Sequence, residues 1–182
     1  MAWKEAEPPP TTRVQREDDD RGWWRALVGR VLDHCDVTRR TDFDRNAFFE
    51  ELYVEFIKPG VWDLFPETLE VLTTLSATYE LGIISNFDRR LRTILEQLGI
   101  ARFFQHIVIS SEVGADKPDP WIFKEALRIA AVEPDRALHV GDEPAADWEG
   151  ASRVGMRVFP LRRPTGTLRD LVTLLENQFQ SP

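Results

Sequence analysis

Ala137-Leu138-His139-Val140-Gly141-Asp142-Glu143-Pro144-Ala145-Ala146-Asp147-Trp148-Glu149-Gly150-Ala151 is the stretch whose reading decides the fold. A short apolar run, Ala137 to Val140, ends at Gly141. Three carboxylates, Asp142, Glu143 and Asp147, follow before a small-residue helical segment begins. This pattern predicts a strand that delivers acids to its C-terminal tip. In open α/β sheets ligands bind outside that edge, and hard oxygen ligands gathered there suit Mg²⁺. The plainer reading is that Asp142 caps a helix opening near Pro144, since proline is favoured at a first helical position.

Outward from this stretch the same alternation repeats. Upstream, a helix over Pro66 to Ala77 precedes the apolar strand Leu81 to Ser85. A helix over Asp88 to Leu98, closed by Gly99 just past its end, precedes the strand His106 to Ser110. A polar loop and a helix over Pro120 to Ala131 then lead into the strand Ala137 to Val140. Downstream, the pattern predicts a helix to about Val154, a strand over Met156 to Pro160 and an amphipathic helix over Leu168 to Phe179. Strands alternating with helices of this length imply a parallel sheet with helices on its faces.

Parallel strands place their C-terminal ends together, so the residues after each strand converge. These are Ser85-Asn86-Phe87-Asp88, then a loop holding Gly114, Asp116, Lys117, Pro118 and Asp119, then Asp142, Glu143 and Asp147. Ser85 and the N–H groups of the next helix start can hold phosphoryl oxygens. Lys117 can neutralise their charge as a point cation, and the carboxylates can hold Mg²⁺. Singly, each residue has an ordinary explanation: a serine before a helix is more often a cap, and a lysine in a proline-flanked loop is usually solvated. Their joint occurrence at successive strand tips carries the reading.

Ahead of the alternating part lies a helical unit. Trp23, Trp24, Leu27, Val28, Val31 and Leu32 recur at a helical period over Arg21 to Cys35. Phe48, Phe49, Leu52, Tyr53, Phe56 and Ile57 do so over Asp44 to Ile57. The two should pack as an antiparallel hairpin. Trp23 and Trp24 could line a cleft, although an aromatic stripe at this spacing is more often core. Pro59 and Gly60 break the pattern. The predicted organisation is therefore an irregular, exposed lead-in over residues 1–20, a helical unit over 21–60 and an α/β core over 61–182. Trp3, isolated in the lead-in, should pack on the helices that follow.

A net charge of -8 argues against a nucleic-acid or anionic-membrane surface, but not against an anionic substrate met by a metal ion and one or two cations. The single cysteine, Cys35, excludes a disulfide within the chain, and its place in an amphipathic helix makes it a core residue rather than a nucleophile. No apolar stretch approaches the roughly 18 residues of a membrane span, and the N-terminus has no signal-peptide apolar core. A cytoplasmic location is the expectation.

Three ordered motifs give the chain a resemblance to the haloacid dehalogenase-like (HAD) hydrolase superfamily, in its branch with a helical cap inserted after the first strand. Ile83-Ile84-Ser85-Asn86-Phe87-Asp88 resembles the second motif of that family. Lys117-Pro118-Asp119-Pro120 resembles the third, and His139-Val140-Gly141-Asp142 through Asp147 the fourth. The resemblance implies a Rossmann-like parallel sheet with helices on both faces, and makes residues 21–60 a partial helical cap. It implies that Ser85 and Asn86 bind a phosphoryl group, that Lys117 stabilises its charge and that of the nucleophile, and that Asp142 ligates Mg²⁺. Asp147 would support the site, and Glu143 would reach the metal through water. The implied activity is Mg²⁺-dependent hydrolysis of a phosphorylated small molecule through an aspartyl-phosphate. Dehalogenases proper lack the Gly-Asp to Asp pattern and use no metal, so the fourth motif favours phosphoryl chemistry over carbon–halogen cleavage.

The resemblance also calls for a nucleophilic Asp-x-Asp at the tip of an apolar first strand in the middle of the sheet. Asp18-Asp19-Asp20 follows no apolar strand, and neither does Asp42-Phe43-Asp44, where Asp42 or Asp44 is better explained as a helix cap. The first strand and the catalytic carboxylate are thus expected to be missing. Two inner strand edges would then lie unpaired, with little or no turnover by this polypeptide. The rival from another class is a non-enzymatic protein that keeps the phosphate and metal loops.

Overall fold

The computed structural model describes residues 7–34 and 43–179, so the expectations for Trp3, Cys35 and Asp42 fall outside the described residues. Two helices come first, α1 (Arg21–Asp33) and α2 (Arg45–Glu55). Asp44 opens α2 as its N-cap, its carboxylate accepting from the N–H groups of Asn46 at 2.9 Å and Ala47 at 3.1 Å. That satisfies two of the donors a helix start leaves unpaired. Glu50 of α2 pairs with both Arg21 and Arg25 of α1.

The alternating part follows in the expected order. It consists of α3 (Thr68–Ser76), β1 (Gly82–Ser85), α4 (Arg90–Gln97), β2 (His106–Ile109), α5 (Ser110–Val113) and α6 (Pro120–Ala130), then β3 (Leu138–Gly141), α7 (Gly150–Arg153), β4 (Arg157–Pro160) and α8 (Leu168–Phe179). Two details differ from the sequence expectation. Strand β2 gives way at Ser110 to the short helix α5 instead of a loop, and Pro144–Glu149 forms a π-helical turn before α7. No helix among the described residues is long and apolar enough to cross a membrane.

Among the described residues all pairing is parallel, as the alternation requires. Gly82 to Ser85 lie opposite His106 to Ile109, and Leu138 to Gly141 lie opposite Arg157 to Pro160. The strands form two separate pairs, β1–β2 and β3–β4, rather than one continuous sheet. Among the described residues no strand bridges them. The helices span both pairs instead. On one face Ile122 and Phe123 of α6 and Ala151 of α7 form a buried cluster with Val108, against which Ile84 of β1 and Val158 of β4 pack. On the other, Val71 and Leu75 of α3 and Leu171 of α8 gather Leu81 beside β1 with Leu138, Val140 and Phe159 of the second pair.

Residues 7–20 form no helix or strand, but they are not exposed throughout as the sequence suggested. Thr12 and Arg13 donate their N–H groups to Gly114 O, and Arg16 donates its own to Ser111 O. Gly114 has φ 69°, and a Cβ there would meet Thr12 Oγ1 and Val14 O at 2.1 Å. Close approach and backbone conformation thus both demand glycine. The Arg16 and Asp20 side chains are buried because the guanidinium binds the carboxylates of Asp20 and Asp116. Burial of charge is tolerated where it is paired in this way.

Candidate phosphate-recognition site

The edge of the molecule where β1 and β3 end carries the predicted residues. Asn86, directly after β1, docks on the loop before α6: its Nδ2 donates to Lys117 O at 2.9 Å, and its Oδ1 accepts from Lys117 N at 2.6 Å. An amide side chain has one donor end and one acceptor end, and both are used on the same residue. The loops that carry Ser85 and Lys117 are thereby fastened together. The Ser85 side chain is half-buried and makes no hydrogen bond among the described residues. Asp119 caps α6 by accepting from Trp121 N at 2.8 Å, with Pro120 at the first helical position, and it orients the same loop.

Lys117 turns its ammonium to Asp147 Oδ1 at 2.6 Å. His139 Nε2, buried on β3, stands 3.0 Å from the same oxygen, and Glu143 N–H donates to Oδ2 at 3.1 Å. Burial alone would push the Asp147 carboxyl up. The His139 hydrogen bond, the Lys117 ammonium and the Glu143 N–H outweigh it and hold the carboxyl well below the ordinary carboxylate range. The π-helical turn brings Asp147 back over the end of β3: a Cβ on Gly141 would meet the Asp147 side chain at 2.3 Å. Gly141 is therefore the residue that admits the carboxylate.

Asp142 and Glu143 are exposed and make no side-chain hydrogen bond among the described residues. The capping explanation for Asp142 thus finds no bond to support it. Among the described residues no three acid, histidine or cysteine side chains converge as a metal cage. A free carboxylate at a strand tip nevertheless fits Mg²⁺, which is commonly held by one or two carboxylates together with water and substrate phosphate. Asp142 fits as a ligand; Asp147, engaged by three donors, fits as a support.

A cavity of about 130 Å³ opens beside Asn86, walled by Trp23, Trp24 and Phe87 with Asp20 and Asp116. Trp23 and Trp24 therefore serve both readings: they pack edge to face at 5.1 Å and they line a cleft. The aspartate run dismissed as a nucleophile motif is occupied otherwise. Asp18 accepts from Gly22 N, Asp19 from Ser111 Oγ and Arg89 N, and Asp20 from Arg16. Burial pushes the Asp20 carboxyl up to about 6, against the pull of Arg16. Sequence reasoning assigned no role to His139, Arg16, Asp88 or Arg90. His139 carried a usable signal, because a polar residue inside an apolar strand needs a buried partner.

The model of the family described as "Haloacid dehalogenase-like hydrolase" matches residues 29–160. The chain belongs to that family. Haloacid dehalogenase-like hydrolase domain-containing protein 3 of Mus musculus is 36% identical over 151 residues, which are 82% of this chain and 59% of the mouse protein. A glyceraldehyde 3-phosphate phosphatase of Methanopyrus kandleri is 39% identical over 99 residues, covering 52% of this chain and 42% of its own length. The chain thus spans less than two thirds of either relative.

Among solved structures, a HAD phosphatase from Thermococcus onnurineus superposes with TM-score 0.64 at 29% identity, covering 74% of this chain and 65% of its own. A 2-haloacid dehalogenase from Pseudomonas syringae gives TM-score 0.64 at 30% identity, covering 89% and 75%. A HAD hydrolase from Bacillus subtilis, described as bound to magnesium, gives TM-score 0.71 at 20% identity over 96% and 77%, a likeness of fold alone. HAD-like membership and the parallel α/β fold are shown by these matches, and some of the relatives are named phosphatases.

Proposed function

We propose that this HAD-like chain recognises the phosphoryl group of a phosphorylated small molecule through Ser85, Asn86 and Lys117, on the phosphatase side of the family. The observation that carries the reading is the double hydrogen bond from Asn86 to the backbone of Lys117. It holds a free hydroxyl and an ammonium on adjoining loops at one edge. Ser85 donates to a phosphoryl oxygen, and Lys117 supplies the compensating charge while Asp147, itself held by His139, fixes its direction. Asp142, with Asp147 as support and Glu143 nearby, would hold Mg²⁺, which would supply further charge compensation for the phosphate.

Hydrolysis through an aspartyl-phosphate needs a carboxylate free to attack phosphorus. Of the carboxylates at this edge, Asp142 and Glu143 are assigned to the metal in this reading, and Asp147, which Lys117 holds, is engaged by three donors with its basicity lowered. This polypeptide should therefore bind phosphate more readily than it turns phosphate esters over. The Asp142 and Asp147 pattern sets the reading against a dehalogenase, despite the likeness to solved dehalogenases.

The test is hydrolysis of an aryl phosphate with and without Mg²⁺ by this chain, beside a version extended upstream by an apolar strand carrying Asp-x-Asp. Mg²⁺-dependent activity confined to the extended form is the expected result. Halide release from a 2-haloacid, or full activity of the short form that Asp18→Asn or Asp20→Asn abolishes, would overturn the reading.

A further inference from the structure

Asp88 and Arg90 lie beside the recognition loop, and no role in phosphate binding explains their burial. Asp88 is fully buried, and its two oxygens take Arg90 Nε at 2.8 Å and Nη2 at 2.6 Å. The remaining terminal nitrogen, Nη1, donates to the main-chain oxygen of Tyr53 at 2.9 Å, and the guanidinium carbon lies 3.5 Å from the centre of the Tyr53 ring. One side chain thus presents its fork to the loop after β1, and its other edge and its face to α2. Between them Phe87 is ringed by Trp24 at 5.8 Å, Trp62 at 6.1 Å and Phe56 at 6.4 Å. Phe87 N–H donates to Ser110 Oγ at 3.1 Å, and Phe87 O accepts from Ser111 N at 3.2 Å.

We infer that Arg90 is a positioning residue: it couples the two-helix unit to the Asn86-Phe87-Asp88 loop, so that the seating of Tyr53 sets how firmly that loop is held against Lys117. The chemistry requires arginine. A planar fork can bond both oxygens of a carboxylate and still offer a donor and a flat face to a second element, whereas a lysine ammonium is a single point charge. Cation–π attraction strengthens where the pair is shielded from water, and the Arg90 side chain is only 10% exposed. The three residues after Ser85 therefore divide the work of a joint. Asn86 faces the Lys117 loop, Phe87 faces the aromatic rings of the helical unit, and Asp88 anchors the arginine that reaches across. The inference deepens the phosphate reading and rests on it only for the affinity arm of its test.

The experiment is backbone amide hydrogen exchange of the full chain, followed by mass spectrometry, for the parent, Arg90→Lys and Tyr53→Leu, with a parallel titration by inorganic phosphate. Tyr53→Leu leaves the Asp88–Arg90 pair in place and so guards against simple unfolding. Exchange over residues 45–55 and over the loop at 86–90 should quicken together by roughly tenfold in both variants, with 106–109 and 120–130 at parental rates. Phosphate affinity should fall by roughly tenfold, the size of a typical lost coupling. Loop exchange that stays parental while α2 loosens would overturn the coupling, and so would a uniform acceleration along the chain, which marks plain destabilisation. Should the parent bind no phosphate, the functional proposal fails, and the exchange pattern still decides the coupling.

Discussion

Asp20 shows how burial and charge compete at a single residue. Its carboxyl is pushed up to about 6 because desolvation outweighs the attraction of Arg16. A carboxyl whose folded pKa stands above its unfolded value binds its proton more tightly in the native state. Its contribution to folding is present in full below about pH 4 and is lost as the pH rises through about 6. Between pH 4 and pH 7 the parent should lose about 1–3 kcal/mol of stability relative to Asp20→Asn. Denaturant titrations at successive pH values measure this, and parallel profiles for the two proteins would contradict it. Ser85, Asn86, Lys117 and Asp142 were legible in the sequence because a strand tip in a parallel sheet fixes where they must lie. The partnerships were not. Asn86 reaches a residue 31 positions away, and Lys117 reaches Asp147 30 positions away. Period and spacing carry no information about which way a side chain turns.

The elements obeyed their periodicity where packing is one-sided. Helix α6 buries Ile122, Phe123 and Leu127 at the spacing expected of an amphipathic helix. Exposed Lys124 and Arg128 bound that face, so the helix could be read directly. The π-helical turn could not. It begins at Pro144, where an ordinary helix start was equally reasonable, and its geometry comes with Asp147 bonding back to Glu143 N–H over the surface of Gly141. Directly after it α7 crosses α6 at Gly150, where a Cβ would lie 2.7 Å from Phe123 Cε2 and 3.2 Å from Pro118 Cα. Phe123 is fully buried and has no room to give. Gly150→Ala should therefore destabilise the chain by about 1–3 kcal/mol, although alanine is the better helix former. Thermal or denaturant unfolding checks this. A stabilised Gly150→Ala would show that the contact between the two helices is looser than the distances require.

At the scale of the whole molecule, the alternation of strands and helices announced the α/β class and the edge where ligands gather. Pairing was less accessible. Four-residue strands say nothing about their neighbours, and β1–β2 and β3–β4 stand as two parallel pairs bridged by helices on both faces. Those helices, α6 and α7 below and α3 and α8 above, keep the tips of β1 and β3 on one edge without a continuous ladder between them. On this frame two loops meet at Asn86, and a lysine held by Asp147, itself bonded by His139, faces the same edge as a serine whose side chain has no hydrogen bond among the described residues. The most direct test of that arrangement is equilibrium binding of inorganic phosphate to the chain, compared with Asn86→Ala and Lys117→Ala variants whose folding is verified by circular dichroism. Binding by the parent that weakens by about tenfold or more in each variant, as loss of a charge-assisted or loop-docking contact implies, is the expected result. A parent that binds no phosphate, or variants that bind it as well as the parent, would contradict it.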